Sequence, residues 1–320
     1  MGLPIVAIVG PTASGKTRLS IALCRRLSGE VVSMDSMQVY RGMDVGTAKP
    51  TAEERGGIAH HMIDVCDPRD SFTVSSYREG AARAIGEIAG RGHLPVLVGG
   101  TGLYLNALTY RMEFAEATGD EAIRAQLHAV ADTPGGRARL HAMLCEVDPE
   151  SARKLHENDV RRVVRALEVY EVTGRPMSEH ADERRPNEDY TPLIYGLTME
   201  RERLYARIDR RVDQMMADGL VGEVRALLEA GVEPGVSGAM QAIGYKEIAA
   251  ALRGECTMEE AVYLIKRESR RYAKRQMTWF RGDARVRFIQ IEDYDSPEEM
   301  EEAFIDRVRA DLEHLKEIRE

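Results

Sequence analysis

The sequence has no apolar run approaching the ~20 residues needed to cross a bilayer. Its opening, MGLPIVAIVG, lacks the basic start of a secretory signal and reads instead as a first strand. Cysteine is scarce: Cys24, Cys66, Cys145 and Cys256 lie far apart with no C-x-x-C pair. That argues against a disulfide framework or a zinc site and for reduced thiols in a cytoplasm. No internal repeat and no low-complexity tract interrupts the 320 residues. An overall positive charge, the usual mark of a nucleic-acid partner, is also missing, because the formal net charge is −9.

That last absence is uneven. Residues 288–320 carry 12 acids against 4 bases, a net −8, so everything before them sums to about −1. Within that nearly neutral body, residues 266–287 hold nine Lys/Arg against two acids, a local +7. A polyanion responds to the local field, so the acidic total does not exclude RNA.

What is present begins with strand–helix–strand order. IVAIV (5–9), EVVSMD (30–35) and LPVLVGGTG (94–102) read as strands, and residues 18–27 and 76–92 have helical spacing. This order predicts an α/β fold, a P-loop NTPase-like parallel sheet flanked by helices. From residue 113 to residue 190 strand-like runs vanish and charged helical stretches are broken by TPGG, DP and TGRP. An inserted helical domain is expected there. PLIYGLTM (192–199) returns to the sheet, and long helices follow over about 201–230 and 258–280. The expected organisation is a discontinuous core, 1–112 with 191–287, the insertion at 113–190, and an acidic peripheral tail at 288–320, helical after Ile291.

GPTASGKT (10–17) fits the phosphate-cradling pattern G-x-x-x-x-G-K-[ST] between a strand and a helix. Its backbone amides form an anion nest, Lys16 neutralises bridging oxygens and the Thr17 hydroxyl reaches Mg²⁺. The loop alone leaves the owner of the phosphates open, and ATP is one candidate. Asp35 ends a strand beside this loop, where it can hold a Mg²⁺ water, take a proton, or act as a structural acid or cap. Gln38 has the donor–acceptor pair that reads a base edge. The third strand ends not on the Asp of many P-loop NTPases but on Gly99, Gly100, Thr101 and Gly102. Glycines there are expected to let backbone approach a ligand closely. Leu103, Tyr104 and Leu105 would then supply apolar wall. His60 and His61 precede Asp64, but adjacent side chains rarely converge on one ion, so packing is the expected role. Three basic helices, at 158–170, 201–216 and 266–287, each read singly as amphipathic core helices. The last interleaves its cations with Tyr272, Trp279 and Phe280, which suits RNA.

Together these segments resemble one family, the tRNA dimethylallyltransferases. The resemblance rests on GPTASGKT, DSMQVYRGMDVGTAKP, HHMIDV, VGGTGLYL, NDVRRVVRALEVYEVTGRP, LYARIDRRVDQM, MQAIGYKE and RRYAKRQMTWFR, in the family's order over about residues 5–282. Residues 113–157 are less family-like, and the zinc-finger extension of many eukaryotic members is absent, so the likeness is to the bacterial form. It implies transfer of a dimethylallyl group from dimethylallyl diphosphate to the N6 amine of the adenosine 3′ of a tRNA anticodon.

The resemblance also implies roles. Asp35 is the base, with Thr17 and Arg207 as its catalytic partners, although nothing in the sequence separates Arg207 from Arg211. The loop residues Gly10, Pro11, Thr12, Ala13, Ser14, Gly15, Lys16 and Thr17 bind the diphosphate, with Mg²⁺ near Thr17. The tRNA anticodon stem-loop would touch Asp35, Ser36, Met37, Gln38 and Thr101. It would also touch Asp159, Val160, Arg161, Arg162 and Val163, and the run Met240, Gln241, Ala242, Ile243, Gly244 and Tyr245. Lys49 is a further phosphate contact in this reading. A cytoplasmic monomer without a membrane partner is expected. Three other readings remain: a small-molecule kinase, an isopentenyltransferase of free adenylate, and a nucleotide-gated RNA-binding module without chemistry.

Overall fold

The computed structural model describes residues 2–111, 120–181, 185–235 and 237–318. The expected domain boundary at 112–113 and part of the RRPNEDYTP break lie outside the described residues. In chain order the elements are β1 (Leu3–Val9), α1 (Lys16–Leu27), β2 (Gly29–Met34), α2 (Ala52–Arg55), β3 (His60–His61), α3 (Val74–Gly90), β4 (Leu94–Gly99) and α4 (Gly102–Thr109). Next come β5 (Tyr110–Arg111), α5 (Glu121–Ala131), α6 (Gly136–Val147), α7 (Pro149–Lys154), α8 (Val160–Thr173), α9 (Met177–Ala181) and β6 (Arg185–Pro186). The chain ends with β7 (Tyr190–Thr198), α10 (Arg201–Ala217), α11 (Leu220–Glu229), α12 (Tyr245–Leu252), α13 (Met258–Arg281), β8 (Val286–Gln290) and α14 (Pro297–Glu317).

Contacts divide the chain into two units, residues 1–109 with 188–320, and residues 110–187. The first is built on a six-stranded sheet in the order β3-β2-β4-β1-β7-β8, with every pairing parallel. Strand alternation sends Ile5, Ala7 and Val9 into one face, packed by α3 and α4 residues such as Tyr77, Ile85 and Leu105. Val6 and Ile8 face the other side, against Leu19 and Leu23 of α1 and Phe304 and Val308 of α14. A further cluster joins Val212 of α10, Val224 of α11, Ile248 of α12 and Ile265 of α13 to Val39 and Met43. The helical run expected over 201–230 is two helices, because Gly219 sits at φ 100 and breaks it.

Residues 288–320 differ from the peripheral tail expected of them. Strand β8 pairs with β7, Ile289 is 3% exposed, and α14 buries Met300, Phe304, Ile305 and Val308. Exposed acids such as Glu298 and Asp306 lie on the outer face of a helix whose inner stripe completes the sheet's packing.

The second unit is mainly helical, with Leu127, Leu140, Leu144, Val163 and Leu167 at its centre. It also contains a short antiparallel ribbon, β5 with β6. Glu168 is fully buried there and accepts hydrogen bonds from Arg124 (2.8 Å) and Arg165 (3.0 Å), which hold its carboxyl below the usual range against the cost of burial.

Candidate active site

Three neighbouring strands, β1, β4 and β2, end at the same edge of the sheet, and the loops beyond them form the site. The loop after β1 turns at Gly10, whose φ is 145. A Cβ there would come 2.8 Å from the Leu197 carbonyl oxygen. Gly15, at φ 96, caps α1 and aims its first turn at the loop's concavity. Lys16 Nζ donates to the carbonyls of Gly10 (3.1 Å) and Pro11 (2.7 Å). Burial chiefly, and then the Arg211 guanidinium, lowers Lys16 to about 7, while Asp35 opposes the shift. A lysine held so close to neutrality, beside an arginine, is a site prepared for an anion.

Asp35 lies one residue past β2. Its Oδ1 accepts from the backbone N–H groups of Met37 (2.9 Å) and Gln38 (3.3 Å), which fixes the carboxylate. Lys16, Thr17, Asp35, Arg211, Tyr272 and Gln276 line one cleft of about 640 Å3, its open mouth included. A second cavity, of about 1100 Å3, shares Thr12, Asp35, Arg211 and Tyr272 with the first. Its other walls combine an apolar set, Met37, Ile208, Val212, Met215, Ala242, Ile243 and Ile265, with polar groups that include Ser36, Thr47, Gln241, Lys246, Ser269 and Arg275. Asp35 therefore stands where a phosphate-type cleft meets a partly apolar one.

Arg207 and Arg211 are now distinguishable. Arg211 lines both cavities with Asp35, and burial lowers its pKa while Asp35 opposes that. Arg207 is half-buried and lines a cavity on the α1 side of the loop with Ala13, Lys16, Thr17 and Arg211. Its pKa is lowered by burial first and then by Arg203 and Arg210. Ser14 faces this outer side, and its Oγ is buried without a hydrogen-bond partner.

Other expected contacts fall in different places. Ser36, Met37, Gln241, Ala242 and Ile243 line the second cavity, but Met240 and Tyr245 are fully buried in the core. Gly244, at φ 102, caps α12. Tyr245 donates its hydroxyl to Glu223 (2.5 Å), and Glu223 in turn accepts from the amides of Asp44, Val45 and Gly46. The run thus shapes the cavity with three residues and anchors it with the rest. Gln38 has its amide engaged: its oxygen accepts from Ser33 (3.1 Å) and its nitrogen faces the carbonyls of Thr47 and Ala48. Thr101 Oγ1 is buried and unpartnered. In the second unit Asp159, Arg161 and Arg162 are exposed at the start of α8, Val160 is half-buried, and Val163 belongs to the core. Lys49 does not face phosphate, since its ammonium is spent on the Tyr40 carbonyl, Asp44 and Asp64.

The glycines after β4 have a use beyond the expected one. A Cβ on Gly100 would lie 1.8 Å from Gln276 Nε2, and one on Gly102 would lie 2.1 Å from the Trp279 ring. Gly100 and Gly102 admit side chains of α13, while Gly99 and Gly100 also line the cleft as expected. Gln276 was not among the expected site residues, and Tyr272, expected as an aromatic suited to RNA, lines the cleft beside Asp35. Tyr272 is pushed up to about 12, chiefly by burial and then by Asp35. The available signal for Gln276 was its place in a stripe with Ala273, Met277 and Phe280, where a glutamine is out of character. His60 and His61 form the edge strand β3, and His61 pairs with Glu30 at 2.7 Å.

The comparisons agree on one family. A model described as IPP transferase matches residues 38–283, and one described as isopentenyl transferase matches residues 3–65. The tRNA dimethylallyltransferase of Desulforudis audaxviator is 50% identical over 294 residues, covering 92% of this chain and 94% of the relative. That of Halalkalibacterium halodurans is 50% identical over 293 residues, covering 91% and 92%. The crystal structure of the full-length tRNA isopentenylpyrophosphate transferase from Bacillus halodurans superposes with a TM-score of 0.75 at 45% identity, covering 100% of this chain and 99% of that one. A eukaryotic dimethylallyltransferase caught acting on tRNA gives a TM-score of 0.75 at 30% identity, covering 90% of this chain and 74% of that one. With the phosphate loop, Asp35 and the glycine-ended third strand set in this fold, the chain belongs to the tRNA dimethylallyltransferase family of prenyltransferases.

Proposed function

We infer that this chain transfers the dimethylallyl group of dimethylallyl diphosphate to the exocyclic N6 amine of the adenosine 3′-adjacent to a tRNA anticodon, releasing diphosphate. The observation that carries the reading is the junction at Asp35. On one side Lys16, Thr17 and Arg211 offer cationic and hydroxyl contacts, and on the other Met37, Val212, Ala242 and Ile243 offer apolar wall. A diphosphate ester with a hydrocarbon group has that same division.

The adenine amine is a poor nucleophile because its lone pair is delocalised into the ring. Reaction therefore depends on the departure of the diphosphate, which takes the electron pair of the breaking carbon–oxygen bond. The loop amides, Lys16 and Arg211 receive that charge, and because they are already in place the stabilisation needs no reorganisation. As N6 bonds to the allylic carbon its proton becomes acidic and passes to Asp35. Two backbone amides hold Asp35 Oδ1, which leaves Oδ2 to accept the proton. The apolar walls keep water from the allylic carbon, and the adenosine leaves its stack to enter, at a cost of a few kcal/mol.

A Mg²⁺ ion fits the residues present. The Thr17 hydroxyl and the Asp35 carboxylate, which line the same cleft, would hold it, since such an ion needs few protein ligands. Among the described residues no group of three His, Cys, Asp or Glu forms a closed metal site. When bound, the ion supplies positive charge to the departing diphosphate. In this reading the exposed Arg161 and Arg162 and the cations of α13 meet phosphates of the anticodon stem-loop. The same reading has the protein act as a monomer in the cytoplasm. Among the described residues no helix is long and apolar enough to cross a membrane.

The test is incubation with prenyl-labelled dimethylallyl diphosphate and unmodified tRNA, followed by digestion to nucleosides. Label in an N6-prenylated adenosine is expected. Loss of a γ-phosphate from ATP, or label only on free adenylate, would replace the reading with a kinase or an adenylate transferase.

A further inference from the structure

Gln276 is 6% exposed and carries a neutral amide to the point where two of the site's loops meet. Its Oε1 accepts from the Thr12 backbone N–H (3.0 Å), in the phosphate loop after β1. Its Nε2 donates to the Gly100 carbonyl (3.1 Å), in the loop after β4. The next residue, Thr101, donates its backbone N–H to the Met34 carbonyl at 3.2 Å, and Met34 directly precedes Asp35. One side chain from α13 thus ties the ends of β1 and β4, and through β4 the end of β2, into a single frame. The fit is close, since Gly100 has no room for a Cβ beside the amide.

We propose that Gln276 is the positioning residue that sets the separation between the diphosphate-holding loop and Asp35. The proposal rests on the function inferred above. Only a group that accepts at one end and donates at the other meets the Thr12 N–H and the Gly100 carbonyl together. A carboxylate can only accept and would face the carbonyl with a like partial charge, whereas a protonated carboxylic acid has the amide's donor–acceptor pair. Glutamate at this position is therefore a switchable copy of glutamine. Its protonated form is favoured by burial and by the carbonyl it faces. The charged and titratable groups lining the same cleft are Lys16, Asp35, His60, Arg211 and Tyr272. They are shared by all variants, and Gln276→Ala, which adds no titrating group, reports their contribution at each pH.

The experiment compares wild type, Gln276→Ala and Gln276→Glu at about pH 8 and about pH 6, with folding checked by thermal melting. At the higher pH both variants are expected to lose on the order of a hundredfold in kcat, the effect of a displacement near 1 Å, with KM for tRNA within about threefold. At the lower pH Gln276→Glu is expected to regain at least about tenfold relative to wild type, and Gln276→Ala to regain nothing. Wild-type turnover in either variant, or a Gln276→Glu ratio flat with pH, overturns the proposal. If Gln276→Ala does not fold, the pH response of Gln276→Glu decides alone. Should wild type itself transfer no prenyl group, the functional reading fails separately. Binding of inorganic diphosphate by the same proteins, which should follow the same pattern, then tests Gln276 independently.

Discussion

Strand β2 carries a buried acid, Glu30, near its start and the proposed base, Asp35, just past its end, and the two ends treat charge in opposite ways. Glu30 is 6% exposed and fully partnered. Arg91 donates through Nε (3.0 Å) and Nη2 (2.8 Å), and His61 and His93 each approach at 2.7 Å. Arg91 above all holds Glu30 down at about 2. At the other end Lys16 and Arg211 are half-buried, and among the described residues Lys16 Nζ has only carbonyl oxygens within bonding distance. One end resolves its charge within the chain and stabilises the fold. The other leaves positive charge unresolved, which costs stability and creates affinity for an anion.

The largest expected effect is at the functional end. Asp35→Ala should lower kcat by about 10³-fold or more, in the range for loss of a positioned base, with tRNA affinity kept within a few-fold. Single-turnover transfer and a filter-binding titration on the same protein check both halves, and near-normal turnover would remove the base assignment. Next in size is the contrast between the two arginines. Arg211→Ala should cost about 10²-fold in kcat, as for loss of one preorganised charge contact, and Arg207→Ala about tenfold or less. Steady-state rates at saturating donor separate them, and the reverse order would move the diphosphate to the outer side of the loop.

Stability should change with opposite signs at the two ends. Glu30→Gln breaks a buried charged network and should lower stability at neutral pH by about 2 kcal/mol with kcat unchanged. Glu30's folded pKa lies below its ordinary value of 4.5, so its contribution is complete above that value and is lost as pH falls toward about 2. Lys16's folded pKa, about 7, also lies below its ordinary value of 10.5, but here the charged form is the one disfavoured. Its penalty is absent above about 10.5 and complete below about 7, so Lys16→Met should raise the Tm of the ligand-free protein at neutral pH. Melting curves of both variants that moved the same way would erase the comparison. Smallest is the effect of Arg161→Ala with Arg162→Ala. That pair should weaken tRNA binding by several-fold and flatten its salt dependence, with donor KM unchanged.

Much of the functional end was readable because it is local in the chain. The loop from Gly10 to Thr17 carries its chemistry in consecutive residues, and the structure brings Thr12, Lys16 and Thr17 to one cleft with Asp35. Arg211, Tyr272 and Gln276 arrive from α10 and α13, far along the chain, and each sits among charged neighbours that look solvated in the sequence. Gly100 and Gly102 showed that something approaches closely, but only packing reveals that it is the Gln276 amide and the Trp279 ring. The paired end was harder to read, because Glu30, His61 and Arg91 meet across two strands and a helix end. For residues 288–320 a helix was legible, but the net charge concealed that its apolar stripe, Met300, Phe304, Ile305 and Val308, packs against the sheet.

The most direct test of the contrast between the two ends is the affinity for inorganic diphosphate, measured by titration calorimetry on wild type, Lys16→Met and Arg91→Ala. Removing the unresolved cation should weaken binding at least about tenfold, the scale of one lost charge-assisted contact, while removing the paired one should leave it unchanged. Equal loss in both variants, or none in Lys16→Met, would contradict the assignment of diphosphate to the loop at Lys16.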